Sequence, residues 1–355
     1  MDRLKKFREK MASTELDGFV ITDIFNIRYL SGFTGSAASM FVSRDDAALI
    51  TDFRYDEQAH SEAYKGVEVR IDKRDALTAV GDVVEAFTGK IGFEAGSLAF
   101  SSYEKINARA DGNLIAVEGM PEKQRAVKDK EETGWIAEAA KITDEVFALF
   151  AGEIRPGMTE IEAAARIDYL LMTGSGDLPA FRTIVAGGKR GALPHAHPSD
   201  RRLELGDLVT MDFGAMWNGY CADMTRTVVL GEPTDRQQEI YDIVLGAQKA
   251  AIKEIRAGMT GREADAVARD FIAEKGYGDE FGHGLGHGIG LQVHEAPRLS
   301  AKTEDVLVPG MIVTVEPGIY IAGWGGVRIE DDVVIEEGGS RNLTSSIKDL
   351  LRLGV

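Results

Sequence analysis

The chain has 355 residues, of which 44% are hydrophobic and 28% are charged. This is long enough for two domains with a substantial core, and the composition is typical of a globular protein. The formal net charge of −17 argues against nucleic acid or an anionic membrane as a partner. No apolar run approaches the roughly 18 residues of a membrane-spanning helix. Cys221 is the single cysteine, which excludes an intrachain disulfide and fits a reducing compartment, so we expect a cytoplasmic protein.

The first 120 or so residues alternate strand-like and helix-like stretches. The start, MDRLKKFREKMASTELDGFVI, interleaves charged and apolar residues as an amphipathic helix does, and then enters a strand-like run, unlike a secretory signal. Further helices are predicted to begin near Arg54 and Arg74. Strands are predicted at DGFVITD, ASMFVSR, AALITD, VEVRID and KIGFEAG. This alternation predicts an α/β domain with a sheet of its own.

A polar stretch separates this segment from the rest of the chain. GMPEKQRAVKDKEE, residues 119–132, is highly charged and contains a proline, which is typical of a linker. We therefore predict one domain over residues 1–122 and a second over residues 123–355.

The second domain contains a weak internal repeat. IRPGMTEIEAAARID resembles IRAGMTGREADAVARD, which lies about 100 residues further along the chain. In each copy a threonine is followed three residues later by a glutamate, as Thr159 with Glu162 and as Thr260 with Glu263. This spacing is that of a capping box, so both copies predict a helix that begins at the same place.

The repeat continues through three more blocks in the same order. LGDLVTMDFG aligns with PGMIVTVEPG, PHAHP with VHEAP, and GYCADMTRTVV with GVRIEDDVVI. The alignment pairs Asp212 with Glu316, Asp223 with Glu330, and His195 with His294. We therefore expect a duplicated α+β unit folded about a pseudo-twofold axis, with acidic residues facing each other near that axis.

The first pair of acids lies on a predicted hairpin. Asn218-Gly219 between two strand-like runs is the strongest short hairpin signal, because a type I′ turn needs positive φ at both positions. With this turn, Asp212 faces Thr225 across the ladder. Asp212 and Asp223 then point to the same side of the sheet as diagonal neighbours.

Glu316 and Glu330 should share a side of the second hairpin in the same way, with a register inferred from the repeat because the loop is longer. Four buried carboxylates would repel, and an unpaired buried anion costs several kcal/mol. A metal cluster resolves the repulsion, since carboxylates can bridge two ions about 3.5–4 Å apart. Carboxylates with imidazole suit Mn²⁺, Fe²⁺, Co²⁺ or Zn²⁺. The alternatives are protonation of some of the acids, solvated surface acids, or salt bridges to Arg226 and Arg328.

Three of the six histidines lie in one glycine-rich run, EFGHGLGHGIGLQVHEAP. His283 and His287 would share one face of a helix, but glycine costs about 1 kcal/mol per helical position relative to alanine. The run is therefore predicted to be extended, with other backbone or a ligand close to it. One metal ligand is expected, and these residues alone leave His283 and His287 both open. His294 and its repeat partner His195 are expected to flank the cluster.

These motifs resemble those of the metallopeptidases with the pita-bread fold, which include aminopeptidase P, prolidase and methionine aminopeptidase. The resemblance rests on LPHAHPSDRRLELGDLVTMDFGAMWNGYCADMTRTVVLG, GHGIGLQVHEAP, VTVEPGIY and GGVRIEDD, in this order. In NIRYLSGFTGS and ALITDFRY, the first domain is similar to the N-terminal domain of prolidase, aminopeptidase P and creatinase, which methionine aminopeptidases generally lack. The resemblance implies an α+β protein with a creatinase-like α/β domain followed by a pita-bread catalytic domain that contains the pseudo-twofold repeat.

The family's dinuclear centre is held by two Asp, one His and two Glu. The matching residues here are Asp212, Asp223, His287, Glu316 and Glu330. The resemblance thus selects His287 over His283, and the metal-free creatinase branch lacks this set. It also implies that His195 and His294 bind substrate and stabilise the tetrahedral intermediate. Arg298 matches an arginine that in some prolidases is thought to bind the substrate's C-terminal carboxylate, which hints at dipeptides.

The predicted activity is that of a two-metal exopeptidase which cleaves an N-terminal residue from a following proline, as an Xaa-Pro aminopeptidase or dipeptidase. Two divalent cations, Mn²⁺ or Co²⁺ first and Zn²⁺ or Fe²⁺ as alternatives, would lower the pKa of a bridging water that attacks the scissile carbonyl. Glu316 is the predicted general base, and a metal ion with His294 or His195 would stabilise the oxyanion.

Two other functions compete with this prediction. One is an aminopeptidase of different N-terminal specificity on the same fold. The other is a non-catalytic peptide-binding scaffold, against which the intact ligand set argues. The expected partners are a small peptide with proline in second position and, by the family resemblance, a second copy of the chain in a homodimer.

Overall fold

The computed structural model describes residues 3–354. The chain divides into two compact units, Met1–Arg125 and Ala126–Val355. The stretch 119–132, predicted as a linker, is largely helical, because one helix spans Met120–Ala126 and the next begins at Lys130. Within the described part of the chain, no helix has both the length and the apolar character needed to cross a membrane.

The first unit is an α/β domain around one mixed sheet. Its helices are α1 (Arg3–Ser13), α2 (Ile24–Ser31), α3 (Asp56–Glu62), α4 (Ala76–Glu85), α5 (Phe100–Arg109) and α6 (Met120–Ala126). Its strands are β1 (Gly18–Ile21), β2 (Ser39–Ser43), β3 (Ala47–Asp52), β4 (Glu68–Asp72), β5 (Ile91–Glu94) and β6 (Leu114–Val117). The sheet order is β4-β3-β2-β1-β5-β6, in which β2 runs antiparallel to both of its neighbours and the other pairs are parallel.

The five strands predicted for this unit are confirmed, and so is the amphipathic helix at its start. α1 buries Arg3, Phe7 and Met11, which recur every four residues and so form one face of the helix. A short 3-10 turn at Phe53–Tyr55 precedes α3, and α4 begins at Ala76, near the two predicted helix starts. The helices α2, α5 and α6 and the strand β6 were not predicted from the sequence.

The second unit contains four helices and thirteen strands within the described residues. The helices are α7 (Lys130–Ala151), α8 (Glu160–Ser175), α9 (Asp235–Glu254) and α10 (Gly261–Glu274). The strands of its first half are β7 (Ile184–Gly187), β8 (Leu208–Phe213), β9 (Met216–Trp217), β10 (Tyr220–Cys221) and β11 (Met224–Leu230). The later strands are β12 (Gly286–Gly288), β13 (Glu295–Leu299), β14 (Ile312–Val315), β15 (Gly318–Ile321), β16 (Gly325–Arg328), β17 (Asp331–Glu336), β18 (Gly339–Asn342) and β19 (Arg352–Leu353).

The internal repeat appears as two similar halves. Capping boxes start α8 at Thr159 with Glu162, and α10 at Thr260 with Glu263, which confirms both predicted helix starts. One sheet has the order β19-β11-β8-β7 and the other β13-β12-β14-β17-β18. Two-stranded ladders, β9 with β10 and β15 with β16, extend the central hairpin of each half.

Each sheet packs one face against the helices of its own half. In the first half, apolar residues of α7 and α8 form a buried cluster with alternate residues of β8, including Met211 and Phe213. In the second half, α9 and α10 pack in the same way against Val313 and Val315 of β14. Because side chains alternate along a strand, the residues between these apolar ones point to the opposite face. The four acids of the two hairpins lie on, or next to, the sheet faces that point away from the helices.

Candidate metal centre

One cavity of the second unit, about 460 Å³ in volume, contains every residue that the sequence predicts for the site. Its lining includes the five predicted metal ligands and the three predicted substrate-binding residues: Asp212, Asp223, His287, Glu316, Glu330, His195, His294 and Arg298. Both halves of the internal repeat contribute to it. Residues that are more than 100 positions apart in the sequence are thus brought into one place by the fold.

The first hairpin places Asp212 and Asp223 on the same wall of the cavity. β8 pairs with β11 so that Asp212 lies opposite Thr225, which is the predicted register. Asn218 and Gly219 have φ angles of +48° and +75°, as a type I′ turn requires. The predicted turn, register and shared side are therefore all confirmed.

The second hairpin brings Glu316 and Glu330 together through a different register. Val315 of β14 lies opposite Asp331 of β17, and the β15–β16 ladder continues in the same register. Glu316 and Glu330 therefore fall directly opposite each other, rather than on a diagonal as the two aspartates do. Both line the cavity, so the predicted shared side is confirmed. The register predicted from the repeat, with the two acids as diagonal neighbours, is therefore wrong; the longer loop of this hairpin sets a different pairing, which is the same on both sides of the two acids.

His287 lies on β12, which runs between β13 and β14. A Cβ atom on Gly286 would collide with the Thr314 carbonyl oxygen, and one on Gly288 would collide with the Ala296 carbonyl oxygen. The glycines on either side of the histidine therefore allow neighbouring strands to come close, as predicted, and what comes close is backbone. His287 Nδ1 lies 3.1 Å from the Gly288 carbonyl oxygen. This contact favours a proton on Nδ1 and leaves the Nε2 lone pair to bind a cation.

The donor atoms of the cavity fit a divalent cation. Asp223, His287 and Glu330 each offer a ligand atom, and these atoms lie within 4.8 Å of one another. His287 Nε2 is also 3.4 Å from Glu316 Oε1. Within residues 3–354, three buried carboxylate oxygens of the cavity have no hydrogen-bond partner: Asp212 Oδ1, Asp223 Oδ1 and Glu330 Oε1. Unpartnered buried oxygens cost free energy, which a cation bound by carboxylates and one imidazole would offset.

Burial and mutual repulsion raise the pKa values of the clustered acids. The pKa of Asp223 is well above its usual range because of burial and then because of Glu330. Burial and Glu316 act in the same direction on the pKa of Glu330, and burial raises the pKa of Glu316 to about 7. Burial, followed by the neighbouring His294, lowers the pKa of His287 to about 3. A bound cation would reverse the effect on the acids, because it favours their charged forms.

Of the four acids, Asp212 forms a salt bridge with one of the two arginines considered as alternative partners. Arg328 is buried, and its Nη2 lies 2.7 Å from Asp212 Oδ2 while its Nη1 donates to the Tyr320 hydroxyl. Arg226 pairs instead with Asp331, at 2.7 Å, which is not a predicted ligand. One arginine therefore cannot neutralise the cluster, and Asp212 itself retains an oxygen without a hydrogen-bond partner in the described chain.

Comparison with known proteins agrees with this geometry. The model of metallopeptidase family M24 matches residues 134–337, and that of the Creatinase/Prolidase N-terminal domain matches residues 3–127. The chain belongs to metallopeptidase family M24. It is therefore a peptidase by family, and the predicted creatinase-like domain followed by a pita-bread domain is confirmed.

Individual M24 relatives match over almost the whole chain. An Xaa-Pro dipeptidase of Pyrococcus furiosus is 40% identical over 353 residues, which cover 99% of each chain. The solved structure of an Xaa-Pro dipeptidase from Bacillus anthracis is 44% identical, with a TM-score of 0.96 and 99% of each chain covered. That of an X-Pro aminopeptidase from Thermotoga maritima is 41% identical, with a TM-score of 0.89, and the match covers 98% of this chain and 99% of that one.

The predicted substrate-binding residues of the M24 domain differ from the predicted ligands in exposure. His195, His294 and Arg298 are exposed, whereas four of the five predicted ligands are buried. The His294 ring contacts the His287 ring edge to face, with 4.3 Å between the centroids. Burial, followed by Arg298, lowers the pKa of His294, which favours a neutral imidazole. The exposed groups are thus the ones that a peptide entering the cavity would meet first.

The M24 cavity also contains apolar residues that the sequence analysis missed. Phe181, Ile184 and Val293 line it beside the histidines. Phe181 lies before the start of β7 and Val293 lies between β12 and β13, where no hydrophobic periodicity marks them. Nothing in the sequence pattern could have assigned these two residues to the site.

Tyr320 was also missed, although a signal for it exists. It stands four residues after Glu316 on the same hairpin arm, and alternation therefore places both on one side. Its hydroxyl lies 2.8 Å from His283 Nε2, while His283 Nδ1 lies 2.8 Å from the Gly284 carbonyl oxygen. Burial lowers the pKa of His283 to about 4. His283 is therefore placed beside the cluster with both ring nitrogens engaged.

Proposed function

We propose that the chain is a dinuclear-metal exopeptidase that hydrolyses the bond between an N-terminal residue and proline. The observation that carries the proposal is the convergence of four carboxylates and one imidazole in one cavity, where three buried oxygens have no hydrogen-bond partner among residues 3–354. Relatives named Xaa-Pro dipeptidase and X-Pro aminopeptidase, at 40% identity or more over nearly the whole chain, support the specificity for proline.

Each half of the repeat supplies two of the proposed carboxylate ligands, and His287 of the second half is the fifth ligand. The complete set is Asp212, Asp223, His287, Glu316 and Glu330. Two divalent cations held there would supply Lewis acidity toward the scissile carbonyl and a nucleophilic water at neutral pH. The mixed oxygen and nitrogen donors favour Mn²⁺ or Co²⁺, with Zn²⁺ and Fe²⁺ as alternatives.

Glu316 is the proposed general base and proton shuttle. It is the least buried of the four carboxylates, with 17% of its side chain exposed, so both solvent and substrate can reach it. A Thr314 hydroxyl 3.3 Å from Oε1 orients the carboxylate. Glu316 would take the proton from the attacking water and return it to the proline nitrogen, which leaves as a secondary amine.

The exposed residues of the cavity are proposed to bind the peptide. His294 and His195 would donate hydrogen bonds to the oxyanion of the tetrahedral intermediate. Arg298 would bind the free carboxylate of a dipeptide, because its guanidinium can donate two parallel hydrogen bonds to it. The apolar surface of Phe181 and Ile184 suits the proline ring, whose nitrogen has no hydrogen to donate. Arg298 favours a dipeptidase over an aminopeptidase that acts on longer chains.

The test uses metal-stripped protein reloaded with Mn²⁺ or Co²⁺ and three matched peptides: Ala-Pro, Ala-Pro-Ala and Ala-Ala. We expect hydrolysis of Ala-Pro, slower hydrolysis of Ala-Pro-Ala and little of Ala-Ala. Preference for Ala-Pro-Ala would make the chain an aminopeptidase, and efficient hydrolysis of Ala-Ala alone would indicate a different N-terminal specificity. If no peptide is cut while metal binds, a peptide-binding scaffold becomes the better description and the proposal is wrong.

Two further properties belong to the same proposal. A cytoplasmic location is supported by the single, buried cysteine, Cys221, because disulfides are rare there. A homodimer is proposed from the family resemblance, and sedimentation analysis of the full chain would test it.

A further inference from the structure

Two residues outside the proposed ligand set contact the ligand residues of the opposite repeat half. Thr225 follows Asp223 by two positions, and Asp332 follows Glu330 by two positions, so the internal repeat makes Thr225 and Asp332 equivalent. The Thr225 hydroxyl donates a hydrogen bond to Glu330 Oε2, at 2.6 Å. The backbone N–H of Asp223 donates one to Asp332 Oδ2, at 3.0 Å. Each half therefore holds a proposed ligand residue of the other.

Both of these contacts are shielded from water. Thr225 and Asp332 are 0% exposed, and they belong to the strands β11 and β17 that carry or follow the ligands. Thr225 and Glu330 also share a backbone hydrogen bond, in which the Glu330 N–H donates to the Thr225 carbonyl oxygen at 3.1 Å. Hydrogen bonds in such a low-dielectric interior are stronger than at the surface, and losing one partner leaves the other buried and unsatisfied.

The direction of the Thr225 hydrogen bond is fixed by its neighbours. Arg328 Nε donates to the Thr225 hydroxyl oxygen at 2.9 Å. A guanidinium can only donate, so the hydroxyl accepts from Arg328 and its own proton goes to Glu330. This occupies Glu330 Oε2 and leaves Oε1, which has no hydrogen-bond partner within residues 3–354. The threonine thus determines which oxygen of the glutamate remains for a cation.

We propose that Thr225 and Asp332 are positioning residues that align Glu330 and Asp223 for cation binding, each acting from the opposite half. The inference rests on the proposed metal centre and deepens it. Neither residue lines the cavity, so both act through the ligand residues. Correct orientation of the two carboxylates then requires both halves to be in register, which couples cation affinity to the contact between them.

The principal test compares Thr225→Val, which has the same shape without the hydroxyl, with Thr225→Ser, which keeps it. Mn²⁺ affinity of the metal-stripped full chain is measured by titration calorimetry, together with KM and kcat for Ala-Pro. We expect Thr225→Val to bind Mn²⁺ about 10–100-fold more weakly, as is typical when a partner of a metal ligand is lost. Thr225→Ser should bind nearly as the wild type does. Saturating Mn²⁺ should restore kcat of Thr225→Val with little change in KM.

The matched control is Thr227→Val. Thr227 is on the same face of β11, is 1% exposed, and its hydroxyl contacts the Thr210 hydroxyl and the Arg328 backbone but none of the proposed ligands. We expect it to lower the unfolding temperature while leaving Mn²⁺ affinity unchanged. Equal weakening of Mn²⁺ binding by both valine substitutions would indicate a general packing effect and overturn the proposal.

Asp332 provides a second pair of variants. Asp332→Asn keeps an oxygen that can accept from the Asp223 N–H, and Asp332→Leu does not. Circular dichroism identifies which variants are folded. If Thr225→Val does not fold, the comparison of the two Asp332 variants tests the proposal instead. Equal Mn²⁺ affinity of the two Asp332 variants, or wild-type affinity in Thr225→Val, overturns the positioning role alone. A wild-type chain that binds no Mn²⁺ would instead overturn the metal centre itself, and the positioning role with it.

Discussion

The two halves of the M24 domain share their helices and strands but differ in the hairpins that carry the acids. The first hairpin has a two-residue Asn-Gly turn, and its Asp212 and Asp223 are diagonal neighbours. The second has a longer loop, and its Glu316 and Glu330 face each other directly. The second half also supplies His287, for which the first half has no counterpart. Duplication thus gives a symmetric scaffold, while turn length and register give the centre its asymmetry.

The largest expected effect comes from removing one charged ligand in either half. Asp223→Asn and Glu330→Gln should each abolish Ala-Pro hydrolysis and the binding of one Mn²⁺ equivalent, because a neutral amide replaces a carboxylate that faces the cation. Metal content and activity of the purified variants test this. Asp207→Asn is the control, since Asp207 is a buried acid of the same domain that pairs with Arg201.

Equal losses in Asp223→Asn and Glu330→Gln would mean that both halves contribute alike to the centre. A loss of activity and metal in only one variant would mean that the metal centre depends mainly on the half that carries the substituted residue. Retained activity with two Mn²⁺ equivalents in both variants would contradict the proposed ligand set. The Asp207→Asn variant should be less stable than the wild type but should bind the same number of Mn²⁺ equivalents.

The difference between the hairpins also explains how far the sequence could predict this site. The Asn218-Gly219 turn fixes its own register, so the placement of Asp212 and Asp223 followed from local chemistry. The placement of Glu316 and Glu330 depends on a longer loop, whose register no local signal specifies. Residue spacing alone left His283 and His287 both open, and only the family resemblance selected one.

The parts of the fold with a local signature were predicted most completely. Capping boxes gave the starts of α8 and α10, and alternation gave five strands of the first unit. α2 was missed because its eight residues are too few for a clear helical pattern, whereas α5 was missed although Phe100, Tyr103 and Ile106 recur every three residues along it. The apolar wall of the cavity was missed because Phe181 lies outside any regular element, where tertiary structure alone places it.

The next largest effect concerns glycines that allow close backbone approach, one in each half. A Cβ atom on Gly286 would collide with the Thr314 carbonyl oxygen, and one on Gly214 with the Ala222 carbonyl oxygen. Gly286→Ala and Gly214→Ala should each lower the free energy of unfolding by about 1–3 kcal/mol, as overpacking typically does. Gly286→Ala should also weaken Mn²⁺ binding, because β12 carries His287.

Urea unfolding of the metal-stripped variants measures the effect of these substitutions. Gly282→Ala is the control, because no atom lies within 4 Å of its added Cβ. It should change the free energy of unfolding by no more than about 0.5 kcal/mol. Neutral behaviour of Gly286→Ala would show that β12 can shift, and the account of the glycine-rich run would then be wrong.

A smaller effect is expected in the pH dependence of stability without metal. The pKa of Glu316 is raised from 4.5 to about 7, so its protonated form is favoured in the folded state. Its contribution to stability is present below pH 4.5 and is lost as the pH rises through about 7. Below about pH 6.5 the lowered pKa values of His283 and His287 act in the opposite direction, because an unfolded histidine still binds a proton there. In a chelator, the unfolding temperature should therefore fall between pH 7 and pH 8, where only the acids contribute, and Mn²⁺ should remove the decline.

Variants from both halves test this pH dependence. The pKa of Asp223 is raised in the same direction, so both Glu316→Gln and Asp223→Asn should flatten the decline measured in chelator. If only one of the two variants flattens the decline, the half that carries the substituted residue contributes most of the repulsion among the acids. An unfolding temperature that rises between pH 7 and pH 8 in the chelated wild type would contradict the buried acidic cluster.

The smallest effect tests the symmetric part of the comparison. Thr159 and Thr260 cap equivalent helices, and each accepts a hydrogen bond from a backbone N–H three residues later. Thr159→Ala and Thr260→Ala should each cost about 1 kcal/mol in the free energy of unfolding, and the serine variants much less. Because the caps belong to separate helices and share no partner, the two costs should add in the double variant. Mn²⁺ affinity should not change in any of these variants, since the caps contact none of the proposed ligands. A weaker Mn²⁺ affinity in only one of the two alanine variants would mean that the asymmetry of the centre extends beyond the hairpins into the repeated helices.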